Sequence, residues 1–186
     1  MEMSFRWFGD NDPVTLDQIR QIPGMVGIVS AIYEIPVGEV WPYEKIIKLK
    51  QTIEDKGFKF NVIESVPVHE DIKMGLKSRE GWIKNYKQTL RNLSKAGIKI
   101  VCYNFMPVFD WTRSQLNAPL ADGSYSLLYD DAMVREIDPL SGELELPGWD
   151  LSYQKDDLKN VVEQYQTISE DRLMHNLIYF LKEIIP

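Results

Sequence analysis

The chain has 186 residues, 26% of them charged and 44% hydrophobic, a balance ordinary for a soluble globular protein. Its net charge of -7 argues against a nucleic-acid backbone as the main partner, which needs clustered Lys and Arg, and no apolar run approaches the ~20 residues of a membrane span. A single cysteine, Cys102, rules out an intrachain disulfide, and the opening MEMSFRWFGDND has no basic region followed by an apolar stretch, so a cytoplasmic protein without a secretory signal is expected.

Residues 5–8 are short and aromatic and stop at Gly9, which predicts a first strand. Thr15 and Gln18 have the spacing of a capping box, so a short helix follows and ends by Pro23. Residues 27–33 (GIVSAIY) read as a second strand covered on both faces. Pro42 opens a helix in which Ile46, Leu49, Lys50 and Ile53 recur at helical spacing, and Gly57 closes it. Residues 59–66 (KFNVIESV) predict strand three. Residues 80–96 predict helix three, with Trp82, Ile83, Tyr86, Leu90 and Leu93 on one stripe, and 98–104 (IKIVCYN) predict strand four.

Residues 105–154 hold several prolines and glycines in turn contexts and read as one long loop, with a short strand at 124–129. Helical pattern resumes at 156–166. A last helix begins near Ser169 and carries Leu173, Leu177, Phe180, Leu181 and Ile184.

The order is β-α-β-α-β-α-β-α, which means a parallel sheet with right-handed crossovers. The loops are lopsided. Helices return to strands through Pro23-Gly24, Lys56-Gly57 and Ala96-Gly97, whereas the exits from strands are long and polar. That is the pattern of a (βα) barrel, whose active site is built from the loops after the strands. A small open doubly wound sheet shares the order, but it would place a Gly-rich phosphate turn after strand one. Here that turn reads GDNDPVT, and no G-x-G-x-x-G or P-loop occurs.

Several residues at the strand ends are candidates for chemistry. Glu64 lies in an apolar run near the end of strand three, as a site carboxylate or as half of a salt bridge. Asn104 ends strand four, to bond a polyol hydroxyl or to cap a turn. His69, beside Glu70 and Asp71, is either a general base with a raised pKa or a surface loop residue. Arg6 and Trp7 end strand one, and alternation sends one inward and the other toward the helices. Asp110, Trp111 and Arg113 open the fourth loop. Arg113 would clamp a carboxylate or simply pair with Asp110 at the surface. His175 on the last helix is expected to be structural or exposed, and Cys102 in mid-strand to be packing. Two distant histidines make no metal site by themselves.

At four stretches the chain resembles the mannonate dehydratase family: FRWFGDNDPVTL at 5–16, GEVWP at 38–42, ESVPVHEDIK at 64–73 and VCYNFMPVFDWTRS at 101–114. The resemblance runs across essentially the whole chain and is to the N-terminal half of the family. It implies an α/β fold of the TIM-barrel, xylose-isomerase-like type. Residues 1–186 would be the first four βα units of one (βα)₈ domain, with 105–154 a long insertion after strand four.

The resemblance further implies a cytoplasmic hydro-lyase of hexuronate (glucuronate) catabolism. It would convert D-mannonate to 2-keto-3-deoxy-D-gluconate with Mn²⁺ or Fe²⁺ in the complete enzyme. The family's metal ligands, two His, a Cys and an Asp, are expected beyond Pro186, starting with an IHPDDPP-like stretch, as are its acid/base residues. None of His69, His175 and Cys102 matches a family ligand, so no metal is expected to bind this chain tightly. Carried over on the substrate side are Trp7, Glu64, His69, Asn104, Asp110 and Arg113. The expected partners are a sugar acid and either a second copy or a C-terminal half of the same protein. Two alternatives stand beside this reading: a non-catalytic half barrel acting by association, and a metal-free small-molecule binding module.

Overall fold

Strand β1 (Met3–Arg6) stops two residues before the expected end. The Asp12 carboxylate accepts hydrogen bonds from the backbone N–H of Phe8 (2.8 Å) and Val14 (2.9 Å), which turns the chain out of the sheet. Gly9 takes the left-handed conformation that this turn requires (φ 91°). The computed structural model describes residues 2–108, 113–136 and 155–185. They divide into two units, Met1–Phe105 with Asp171–Pro186, and Met106–Glu170.

In the first unit the local signals act as the sequence suggests. The capping box opens α1 (Leu16–Ile19): Gln18 N–H donates to Thr15 Oγ1, and Thr15 N–H donates to Gln18 Oε1 at 2.8 Å. Strand β2 is Met25–Ser30, and α2 (Tyr43–Glu54) starts directly after Pro42. Strand β3 is Lys59–Ile63, α4 is Arg79–Lys95, and β4 is only Ile100–Val101. Between β3 and α4 lies a short helix the sequence pattern did not suggest, α3 (Glu70–Met74). It is capped by His69 and closed by Gly75 at φ 72°. The last helix, α7 (Glu170–Ile184), buries Phe180 completely.

The strands form one parallel sheet in the order β1-β2-β3-β4. Sequential order decides between the two expected architectures. A doubly wound sheet reverses its strand order at a switch point, whereas a barrel adds each strand to the same edge. This is the barrel arrangement. A core of Trp7, Leu16, Ile28, Phe60, Ile63, Phe180 and neighbours holds the unit together. Phe180 meets Tyr86 edge-on with ring centroids 5.0 Å apart.

The second unit has an antiparallel hairpin, β5 (Gln115–Pro119) with β6 (Tyr125–Leu128), then α5 (Asp131–Arg135) and α6 (Lys155–Tyr165). The strand expected at 124–129 is β6. Its partner β5, QLNAP, was not expected, because Asn and Pro are poor strand residues. Asp130 caps α5 by accepting from Met133 N–H at 3.1 Å.

Candidate active site

The residues that leave the strands' C-terminal ends form a polar cluster. Arg6, the last residue of β1, brings its Nε to 4.0 Å from Glu64, the first residue after β3. The Arg6 guanidinium lies 4.7 Å from the centre of the Phe8 ring and 5.8 Å from that of Tyr33. Burial pushes the Tyr33 hydroxyl above its ordinary pKa, while Arg6 and Ser30 pull it down, so these three side chains share one neighbourhood.

Cys102 follows β4 in the same rim. Its N–H donates to Ile63 O at 2.8 Å and its carbonyl accepts from Val66 N–H at 3.3 Å, so its backbone continues the sheet beyond the two residues of the strand. Burial, and next the Glu64 carboxylate, raise the thiol pKa. A thiol held protonated is a poor nucleophile, in keeping with a packing role. Asn104 sits next along, its Nδ2 at 3.4 Å from Ser65 Oγ.

Among the described residues, two polar atoms in this rim, Arg6 Nη1 and Ser30 Oγ, are buried without a close hydrogen-bond partner, and both residues lie beside the Tyr33 hydroxyl. Native folds pair nearly all such atoms, and orphans call for a reason.

His69 lacks the raised pKa expected beside two acids, and it is a helix cap, not a free loop residue. Its Nδ1 accepts from Asp71 N–H at 3.1 Å, which puts the proton of the neutral ring on Nε2. The ring stacks on Trp82 with centroids 4.1 Å apart, and Trp82 Nε1 donates to Asp71 Oδ2 at 3.1 Å. Burial lowers the His69 pKa, outweighing the opposing pull of Asp71 and Glu70. The raised pKa suggested by two acidic neighbours is therefore reversed, because the fold hides the ring against an indole. Gly38 packs so closely that an added Cβ would lie 2.7 Å from Trp82 and 2.9 Å from His69. The cleft they enclose with Trp41 and Val66 measures about 10 Å³, roughly room for one water.

The fold thus brings Glu64 and Asn104 to one rim, and puts His69 there as a helix cap. Trp7 lies in the core at 4% exposure, so alternation leaves Arg6 on the other side of the strand. Arg113 belongs to the second unit, and Asp110 falls outside the described residues. Ser30 and Tyr33 were not singled out from sequence, and Arg6 was left as one of two choices with Trp7. The signal that could have found them is β1–β2 register, which pairs Arg6 with Val29, one residue before Ser30. Among the described residues no group of three or more His, Cys, Asp or Glu converges on a point where a metal ion could be held. His175 is exposed on α7.

Comparison with known proteins agrees with this architecture. The family model described as D-mannonate dehydratase (UxuA) matches residues 1–186. A mannonate dehydratase of Streptococcus uberis is 56% identical over 186 residues, and mannonate dehydratase 2 of Halalkalibacterium halodurans is 58% identical. Both alignments cover the whole chain, but only 53% and 54% of those relatives. The crystal structure of mannonate dehydratase from Streptococcus suis serotype 2 superposes with a TM-score of 0.88 at 50% identity, over all of this chain and 50% of that one. The chain spans about half the length of the curated relatives it matches, and across that length it belongs to the mannonate dehydratase family.

Proposed function

We propose that this chain is the N-terminal, substrate-side half of a mannonate dehydratase, a hydro-lyase that converts D-mannonate to 2-keto-3-deoxy-D-gluconate and water. The observation that carries the reading is the polar rim of Arg6, Glu64 and Asn104 at the strand ends of a half barrel, in a chain whose full length matches that family. The reaction is a β-elimination. A base removes the proton from the carbon beside the carboxylate, the hydroxyl of the next carbon leaves as water, and the resulting enol becomes the ketone. Mn²⁺ or Fe²⁺ would serve the complete enzyme as a Lewis acid.

In this reading the chain's own contribution is to bind and orient the substrate. Glu64 and Asn104 meet polyol hydroxyls, and His69 shapes the rim by fixing the start of α3. Trp7 supports the rim from the core, and Asp110 and Arg113 remain candidates from the fourth loop. A cytoplasmic site of action suits a chain in which, among the described residues, no helix is long and apolar enough to cross a membrane.

A second reading, a non-catalytic half barrel that acts by association, is favoured by one observation. The four-stranded sheet has β1 and β4 at its edges, and Met3 and Ile100 on them are about half exposed. Unpaired edges invite a second copy or a C-terminal half. The test is an assay of D-mannonate dehydration with the chain assembled with a C-terminal half from the family and supplied with metal. The dehydratase reading expects turnover of D-mannonate. Assembly without turnover of any sugar acid would favour association alone.

A further inference from the structure

The neutral ring of His69 keeps one hydrogen-bond donor that the fold does not use. Its Nδ1 accepts from Asp71 N–H at 3.1 Å, so the ring proton sits on Nε2. Among the described residues Nε2 meets no partner. The ring is not free to turn away. Trp82 stacks on it with centroids 4.1 Å apart, and Gly38 comes so close to Cδ2, the carbon bonded to Nε2, that an added Cβ would lie 2.9 Å from it. Trp82 is tied in turn through Nε1 to Asp71 Oδ2, which also accepts from Ser78 Oγ. Nor is the ring sealed: the His69 side chain is 25% exposed and lines the cleft of about 10 Å³.

The place and lining of that cleft say what fits it. Gly38, Glu39 and Trp41 come from the exit of β2, and Val66 and His69 from the exit of β3, so the cleft belongs to the strand-exit rim. Trp41, Trp82, Val66 and Ile72 give it apolar walls. His69 brings an N–H, and Glu39, exposed in the same lining, brings a carboxylate. Room for about one water is room for one hydroxyl group. A hydroxyl accepts and donates, so it can use both side chains. A carboxylate would be repelled by Glu39, and an ammonium has no lone pair to offer the His69 N–H.

We infer that this cleft receives a single hydroxyl group of a polyol ligand, with His69 Nε2–H donating to its oxygen. The inference rests on the sugar-acid reading above and deepens it, since it makes His69 a specificity determinant for a hydroxyl as well as a helix cap. D-mannonate and D-mannitol, which share a carbon skeleton, should both use the contact. Hexanoate, a six-carbon acid without hydroxyls, should not.

The test reads the ring nitrogens of the full chain by NMR. The chain has only two histidines, so His175→Gln assigns the signals. His69 should appear as the Nε2–H tautomer, and its Nε2 signal should shift on titration with D-mannonate and with D-mannitol but not with hexanoate. An Nδ1–H tautomer, a signal unmoved by both polyols, or an equal shift with hexanoate would overturn the inference. In the chain assembled with a family C-terminal half and metal, His69→Phe keeps a stacking ring and loses the donor, and His69→Asn keeps the cap acceptor and loses the ring. Each should raise KM for D-mannonate and weaken inhibition by D-mannitol roughly 3- to 10-fold, the scale of one neutral hydrogen bond. Unchanged constants for both ligands count against the proposal, and the NMR arm decides it should the variants fail to fold. Failure of the broader reading looks different. If both polyols move Nε2 yet the assembled enzyme leaves D-mannonate unreacted, the hydroxyl site stands and the dehydratase assignment falls. If D-mannonate is turned over while neither polyol moves Nε2, the reverse holds.

Discussion

The two rims of the parallel sheet are finished to different degrees. On the rim where helices return to strands, the connections are tight and their polar groups are bonded. Gly57 and Gly97 turn the chain at φ 82° and 81°. The Lys56 carbonyl accepts from Arg20 Nη1 at 3.2 Å, and the Ala96 carbonyl accepts from Lys50 Nζ at 2.8 Å. Lys56 in turn pairs with Asp17. On the opposite rim, loops are long, a guanidinium faces a carboxylate at 4.0 Å, and two buried polar atoms lack a close hydrogen-bond partner among the described residues. One rim keeps the fold together, and the other gathers charged and polar side chains at the strand ends. In a barrel this division is general, with stability at the bottom and chemistry at the top.

The comparison makes graded predictions. The largest effect is expected on the open rim. In the assembled enzyme, Glu64→Gln or Asn104→Ala should lower kcat/KM for D-mannonate roughly 10- to 1000-fold, with melting temperature and metal content nearly unchanged. Loss of metal in either variant would mean that this half supplies a ligand or its support, and the division of labour between halves would be wrong.

On the closed rim the effect is on stability. Gly97→Ala forces a side chain into a left-handed conformation, with its Cβ 3.4 Å from Lys50 Nζ. A loss of about 1–2 kcal/mol in denaturant unfolding is expected, with sugar-acid affinity intact. Lys50→Met removes the bond to the Ala96 carbonyl. It should cost about 1 kcal/mol, again without effect on affinity. If either closed-rim variant weakens substrate binding more than Glu64→Gln does, the contrast between rims fails.

The smallest effect is a pH dependence. His69 is half-buried and its folded pKa lies below the ordinary 6.5. The unfolded chain therefore binds the proton more readily. The stability due to neutral His69 is complete above about pH 6.5 and is lost as pH falls toward the lower folded value. His69→Asn keeps a cap acceptor for Asp71 N–H and removes the titrating ring, so its melting temperature should fall less steeply between pH 7 and 5. Equal slopes for the two proteins would show that His69 does not govern the acid limb.

How far the sequence was legible follows from the same physics. Helix limits set by short-range signals came through: the Thr15–Gln18 capping box, Pro42 before α2 and Gly97 after α4 stand where the residues put them. Strand ends did not. Ala31, Ile32 and Val66 are buried and apolar but lie beyond the strands, and composition cannot separate burial from pairing. Helix α3 was hidden because it has five residues and a histidine cap, outside the usual Ser, Thr, Asp and Asn. In the site, Glu64 stood out as a carboxylate in an apolar run. Arg6 did not, since alternation alone leaves the phase open between Arg6 and Trp7, and only packing of Trp7 into the core settles it. Ser30 and Tyr33 read as mid-strand and strand-end residues of a run that in fact stops at Ser30.

The central claim is that this chain holds the substrate side of a divided active site. Its most direct test is formation of 2-keto-3-deoxy-D-gluconate from D-mannonate by the chain alone, by a C-terminal half alone and by the two combined with metal. The account predicts product only from the combination, and loss of that product with Glu64→Gln in this chain. Turnover by this chain alone, or full activity of the combination carrying Glu64→Gln, would contradict it.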